Sequence, residues 1–101
     1  MAFTKVATVQ EVAPGTGKAV TVNGKQVAVF NVGGTFYALE DRCPHRGAPL
    51  SDGTCAGTEV ICPWHGARFD LTTGAHLSPP APRGVAPYKV QVVGDEVQLD
   101  V

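Results

Sequence analysis

The chain has 101 residues, enough for one domain. Eight Lys and Arg against nine Asp and Glu leave a net charge of −1, which gives no reason to expect nucleic acid or an anionic membrane as a partner. Three cysteines are too few for a disulfide framework and point to a reducing, cytoplasmic setting.

Taken in order, Met1 to Val12 holds Lys5 and Glu11 and no long apolar run, so neither a signal peptide nor a membrane anchor is expected there. Phe3, Val6, Val9 and Val12 recur at a spacing that fits a strand or a helical turn, and their β-branched character favours a first strand and its exit. Pro14-Gly15-Thr16-Gly17 breaks it. Lys18–Val22 and Lys25–Val32 then flank Asn23-Gly24, the preferred type I′ hairpin pair. Gly33-Gly34 makes a second turn, into a strand from Thr35 to Leu39. Leu50–Gly57 reads as turn-rich, Glu59–Ile61 and Ala67–Asp70 as short strands, and Leu71–Gly74 as a turn. Ser78–Pro82 carries three prolines in five residues, a stiff segment. Tyr88–Val93 and Glu96–Val101 flank Gly94-Asp95 and close the sheet. No helix of normal length is required, so the fold class is all-β, an antiparallel arrangement in a single domain.

The chemistry sits in two short repeats, Cys43-Pro44-His45-Arg46-Gly47 and Cys62-Pro63-Trp64-His65-Gly66, whose ligand pairs are separated by the 16 residues from Arg46 to Ile61. Each pair offers a soft thiolate and an imidazole, a mixture suited to a transition metal. A disulfide between Cys43 and Cys62 would leave His45 and His65 unexplained. Structural zinc also accepts mixed Cys and His ligands, although its usual signal starts from two closely spaced cysteines and each repeat here has one. Colour separates the two metals, since zinc protein is colourless. Cys55 matches neither repeat and reads as a free thiol. His76, the remaining histidine, reads as a surface residue or as one standing behind the ligands.

On these residues the chain resembles the Rieske ferredoxins, whose pattern is C-x-H, a spacer of about this length, and C-x-x-H, with Gly after each half. The likeness continues through Gly47-Ala48-Pro49-Leu50 and Ser78-Pro79-Pro80-Ala81-Pro82. It implies one [2Fe-2S] cluster per chain, Cys43 and Cys62 on one iron and His45 and His65 on the other. It implies a Rieske-type antiparallel β sandwich with a small cluster-binding lobe, roughly Asp41 to Leu71, inserted in a base domain spanning the rest of residues 1–101. Ser78–Pro82 would be the proline loop covering one side of the cluster. Respiratory Rieske subunits carry a membrane anchor, two hydroxyl donors after the second His, and an extra Cys in each loop. Here Ala67 and Phe69 stand at the hydroxyl positions and Ala48 and Trp64 at the Cys positions. Fewer hydrogen bonds to the sulfurs leave the reduced state less stabilised, so the potential is expected near the bottom of the window of about −150 to +300 mV for Rieske centres.

No nucleophile with a base, carboxylate pair or open metal position is evident, and the chain is too short for a catalytic oxygenase domain. The expected role is therefore a non-catalytic, monomeric one-electron carrier, with neither nucleic acid nor membrane as partner. The resemblance implies a flavin-dependent NAD(P)H ferredoxin reductase as donor and a terminal aromatic-ring dioxygenase as acceptor. The competing reading is a small subunit of a larger reductase such as assimilatory nitrite reductase. Arg46 and Trp64, each inside a ligand loop, would flank the docking surface.

Overall fold

The computed structural model describes residues 3–42, 49–64, 66–77 and 84–100. Among them are nine strands: β1 (Phe3–Thr8), β2 (Gly17–Val22), β3 (Lys25–Val32), β4 (Thr35–Glu40), β5 (Thr54–Ala56), β6 (Glu59–Ile61), β7 (Arg68–Asp70), β8 (Pro87–Val93) and β9 (Glu96–Asp100). All pairings between these strands are antiparallel. The larger sheet has the order β1-β9-β8-β4-β3-β2, and a separate small sheet has the order β5-β6-β7.

The larger sheet works as two three-stranded wings. They are joined where Ala38 and Leu39 of β4 meet Tyr88 and Pro87 of β8 and where the Glu40 amide donates to the Ala86 carbonyl at 2.8 Å. Across that link the wings face each other, and one core cluster unites Ala7, Val97 and Leu99 from one wing with Val27, Val29 and Ala38 from the other. The opposite face of β3 and β4 is also covered. Ala28, Phe30 and Leu39 pack with Leu50, Val60 and Phe69 in a second cluster beneath the small sheet. β3 is thus buried on both faces, with Val27, Ala28, Val29 and Phe30 all fully inaccessible. This explains why its sequence is a continuous apolar run and not an alternating one.

The turn chemistry behaves as the residues dictate. Asn23 (φ 51°) and Gly24 (φ 76°) both adopt the left-handed region, as a type I′ turn demands. The β2–β3 register therefore runs unbroken from Val22↔Lys25 to Gly17↔Phe30. Two expectations differ from the structure. The first strand stops at Thr8, and Val9–Glu11 forms a 3-10 turn. Glu11 draws it closed by accepting hydrogen bonds from the Thr8 amide (2.8 Å) and hydroxyl (3.2 Å). The stretch read as turns from Leu50 to Gly57 contains a 3-10 turn at Leu50–Asp52 and then β5. Among the described residues, no helix is long and apolar enough to cross a membrane.

Candidate metal centre

The small sheet determines where Cys62 lies. One end of it is the row Thr54↔Ile61↔Arg68. Leu77 extends that row, its amide donating to the Arg68 carbonyl at 2.7 Å. β5 starts at this end after the 3-10 turn Leu50–Asp52, the chain leaves β6 for Cys62 here, and Leu77 is the last described residue before the proline-rich stretch of the sequence. The connection that starts with Cys62 and the strand-like residue Leu77 therefore share a single sheet end.

Cys62 is the one predicted ligand inside the described residues. It is buried, 2 % exposed, and belongs to the core cluster beneath the small sheet. Its amide donates to the Ala67 carbonyl (2.7 Å) and its carbonyl accepts from the Gly66 amide (3.1 Å), so the main chain fixes its position. It forms no disulfide. Cys43, His45 and His65 lie outside the described residues, as do Arg46, Ala48 and Ser78–Pro82. Among the described residues no three His, Cys, Asp or Glu side chains converge on a common point.

The first segment is fastened at its neck. Asp41, following β4, donates its amide to the Gln26 carbonyl at 3.0 Å. Its carboxylate accepts from the Ser51 amide and from the Ser51 hydroxyl, each at 2.8 Å. Nothing in the sequence flags this pair, whose members are ten residues apart. Beyond it the backbone of Gly53 runs so close to the Ile61 carbonyl that a Cβ there would collide with it. That contact holds the exit of the first segment beside the entry to the second.

The remaining candidates separate cleanly. Ala67 and Phe69 are fully buried with Cys62. Trp64 projects outward, 56 % exposed, and Leu77 is 48 % exposed. Cys55 is half-buried on β5 opposite Val60, and burial pushes its thiol pKa up, which disfavours the thiolate a metal needs. His76 is exposed and forms a bridge to Phe69 across the turn after β7.

Asp70 organises that turn. Its Oδ1 accepts from the Thr72 amide (2.7 Å) and hydroxyl (2.5 Å) and from the Thr73 amide (3.3 Å). The Thr72 hydroxyl first, then the turn amides, hold the Asp70 carboxyl below its ordinary pKa. A carboxyl depressed on folding adds stability that is complete above its unfolded pKa and disappears as pH falls through the lower folded value. Asp70→Asn should therefore lower the urea midpoint at pH 7, and the difference from the parent should vanish toward about pH 2.

The donor set suits a Rieske cluster. Two thiolates and two neutral imidazoles around two ferric ions and two sulfides would sum to zero charge, which the apolar surroundings of Cys62 tolerate far better than the two negative charges of an all-cysteine set.

Residues 2–89 match the Rieske [2Fe-2S] domain. The ferredoxin component of the naphthalene 1,2-dioxygenase system of Pseudomonas aeruginosa is 38 % identical over 91 residues, covering 90 % of this chain and 88 % of that protein. The ferredoxin of carbazole 1,9a-dioxygenase from Nocardioides aromaticivorans IC177 superposes with a TM-score of 0.91 at 35 % identity, over 98 % of this chain and 97 % of that one. A structure described as a complex of reduced oxygenase and oxidized ferredoxin in carbazole 1,9a-dioxygenase contains a chain matching at TM-score 0.87 and 38 % identity, over 96 % and 91 %. A chain described as an NADH-dependent nitrite reductase small subunit from Mycobacterium tuberculosis superposes at TM-score 0.88 with 26 % identity, over 97 % and 93 %.

Proposed function

Because the chain belongs to the Rieske [2Fe-2S] domain family, we propose that it is the ferredoxin component of a ring-hydroxylating dioxygenase system. It takes one electron from a flavin-dependent NAD(P)H reductase and delivers it to a terminal oxygenase. It is not catalytic alone. The observation that supports this reading is Cys62, buried where the chain leaves the end of the small sheet, with Trp64 exposed beside it. The higher identity to dioxygenase ferredoxins, 38 % against 26 %, favours this over a nitrite reductase subunit.

Cys43 and Cys62 would hold one iron and His45 and His65 the other, within a lobe of roughly Asp41 to Leu71 carried on the two-winged base. The bound cluster supplies reversible one-electron exchange. The chain contributes what makes that exchange useful. The buried face around Cys62, Ala67 and Phe69 keeps hydroxyl donors away from the cysteine sulfur, which keeps the potential low in the Rieske window of about −150 to +300 mV. The two imidazole-bearing loops form the port for electrons, and the exposed indole of Trp64 offers a rigid apolar anchor for a partner surface. The protein acts as a cytoplasmic monomer that meets its partners transiently.

Stopped-flow mixing of the dithionite-reduced protein with an oxidised ring-hydroxylating oxygenase tests this. One electron per chain should pass to the oxygenase faster than air reoxidises the carrier. Trp64→Ala should lower the second-order rate by about tenfold, the equivalent of one modest interface anchor, with an unchanged visible spectrum. Transfer no faster than air oxidation would sink the assignment, and elution of the native protein within a larger complex would favour the subunit reading.

A further inference from the structure

The carboxylate of Asp41 spends both oxygens on Ser51, and both residues are anchored outside the ligand segment they enclose. Asp41 is 8 % exposed and Ser51 7 %. The amide of Asp41 extends the β3–β4 ladder by bonding Gln26. The carbonyl of Ser51 lies against Gly17 of β2, where a Cβ would come within 2.8 Å of it, and its neighbour Leu50 is fully buried. The segment between them therefore starts and finishes at a point fixed by the base sheet. The ion pairs Lys18–Glu11 and Arg68–Glu59 do not involve Asp41. Among the described residues its carboxylate is met by the amide and hydroxyl donors of Ser51.

We propose that Asp41 is a positioning residue for the first Cys/His repeat, acting through Ser51, and that its buried charge lowers the reduction potential of the cluster. This rests on the reading that Cys43 and His45 are ligands. Asp41 precedes Cys43 by two residues, a span of at most about 7 Å between Cα atoms. Were the carboxylate about 10 Å from the cluster, at an effective dielectric near 20, its charge would oppose uptake of an electron by about tenfold in the equilibrium constant. For a one-electron couple, tenfold is about 59 mV. The same carboxylate closes the neck, so iron release should be gated by the bonds to Ser51.

Asp41→Asn, Ser51→Ala and the exposed control Asp52→Asn separate the two effects in the iron-loaded protein. Asp41→Asn keeps one acceptor oxygen but loses the charge, and its midpoint should rise by about 59 mV, tenfold in the equilibrium constant. Asp52→Asn changes net charge equally and should leave the midpoint where it was. Ser51→Ala keeps both the charge and the amide bond, so its midpoint should stay at the parent value while iron loss to a ferrous chelator accelerates several-fold. Parent-like potential and parent-like iron loss in Asp41→Asn overturn the proposal. Should Asp41→Asn fail to fold, the chelator rate of Ser51→Ala decides, and an unchanged rate there overturns it equally. A parent protein that lacks the mixed-ligand electron paramagnetic resonance signature would instead overturn the functional reading beneath it.

Discussion

Cys62→Ser is expected to give colourless protein holding less than about a tenth of the parent's iron. Serine is nearly the same size, so the packing around position 62 survives. Its hydroxyl, however, does not ionise near neutral pH, and the soft iron–sulfide core loses a thiolate ligand. The main chain at Cys62 is held by Ala67 and Gly66 regardless of the side chain, so the apoprotein keeps its strands. Far-ultraviolet circular dichroism of the variant should match the iron-free parent. Cys55→Ser is the matched control. That thiol lies on β5 against the core, raised in pKa by burial, and replacing it should leave iron and colour intact. Loss of colour in Cys55→Ser, or its retention in Cys62→Ser, would reverse the ligand assignment.

The second large effect belongs to Gly74. This residue has φ 77°, and a Cβ there would run into the backbone carbonyl of Val85. The same close approach carries a hydrogen bond from the Val85 amide to the Gly74 carbonyl at 2.8 Å. Opposite, a Cβ on Gly84 would strike the Gly74 carbonyl. Gly74→Ala therefore combines left-handed strain of about 1 kcal/mol with a backbone collision no rotamer relieves, and a loss of roughly 3 kcal/mol or more is expected in urea unfolding. Because Gly74 and Gly84 bracket the proline-rich segment, cluster loss should accelerate along with the stability loss. A urea midpoint equal to the parent's would show that the two segments do not approach as described.

What the sequence discloses, and what it hides, follows from the range of the interactions. Asn23-Gly24 dictates a turn from two adjacent residues, so that hairpin and its register were legible. The β8–β9 hairpin around Gly94-Asp95 was legible for the same reason. β5 was not. Thr54–Ala56 lies between Gly53 and Gly57, is three residues long and has Cys55 as its only half-buried member, and its strand character comes from pairing with β6. The 3-10 turn at Val9–Glu11 was hidden because Val6, Val9 and Val12 fit two periodicities, and the deciding Thr8–Glu11 bonds are a capping pattern that the apolar spacing does not reveal. At the site, the spacing of the two Cys/His repeats announced the chemistry, because few other functions need a thiolate and an imidazole paired twice. Trp64 was expected at the rim of the ligand loop, and its side chain is exposed there. Asp41 and Ser51 were missed because the neck they form exists only once the chain between them has closed.

Beneath all of this lies the proposed unequal ligation of a two-iron core, sulfur at one iron and nitrogen at the other. Low-temperature electron paramagnetic resonance of the dithionite-reduced protein reads that inequality most directly. The account predicts a rhombic signal of one unpaired spin per chain, with an average g clearly below that of an all-cysteine [2Fe-2S] cluster. An average g in the all-cysteine range, or no iron in material purified without oxygen, would contradict it.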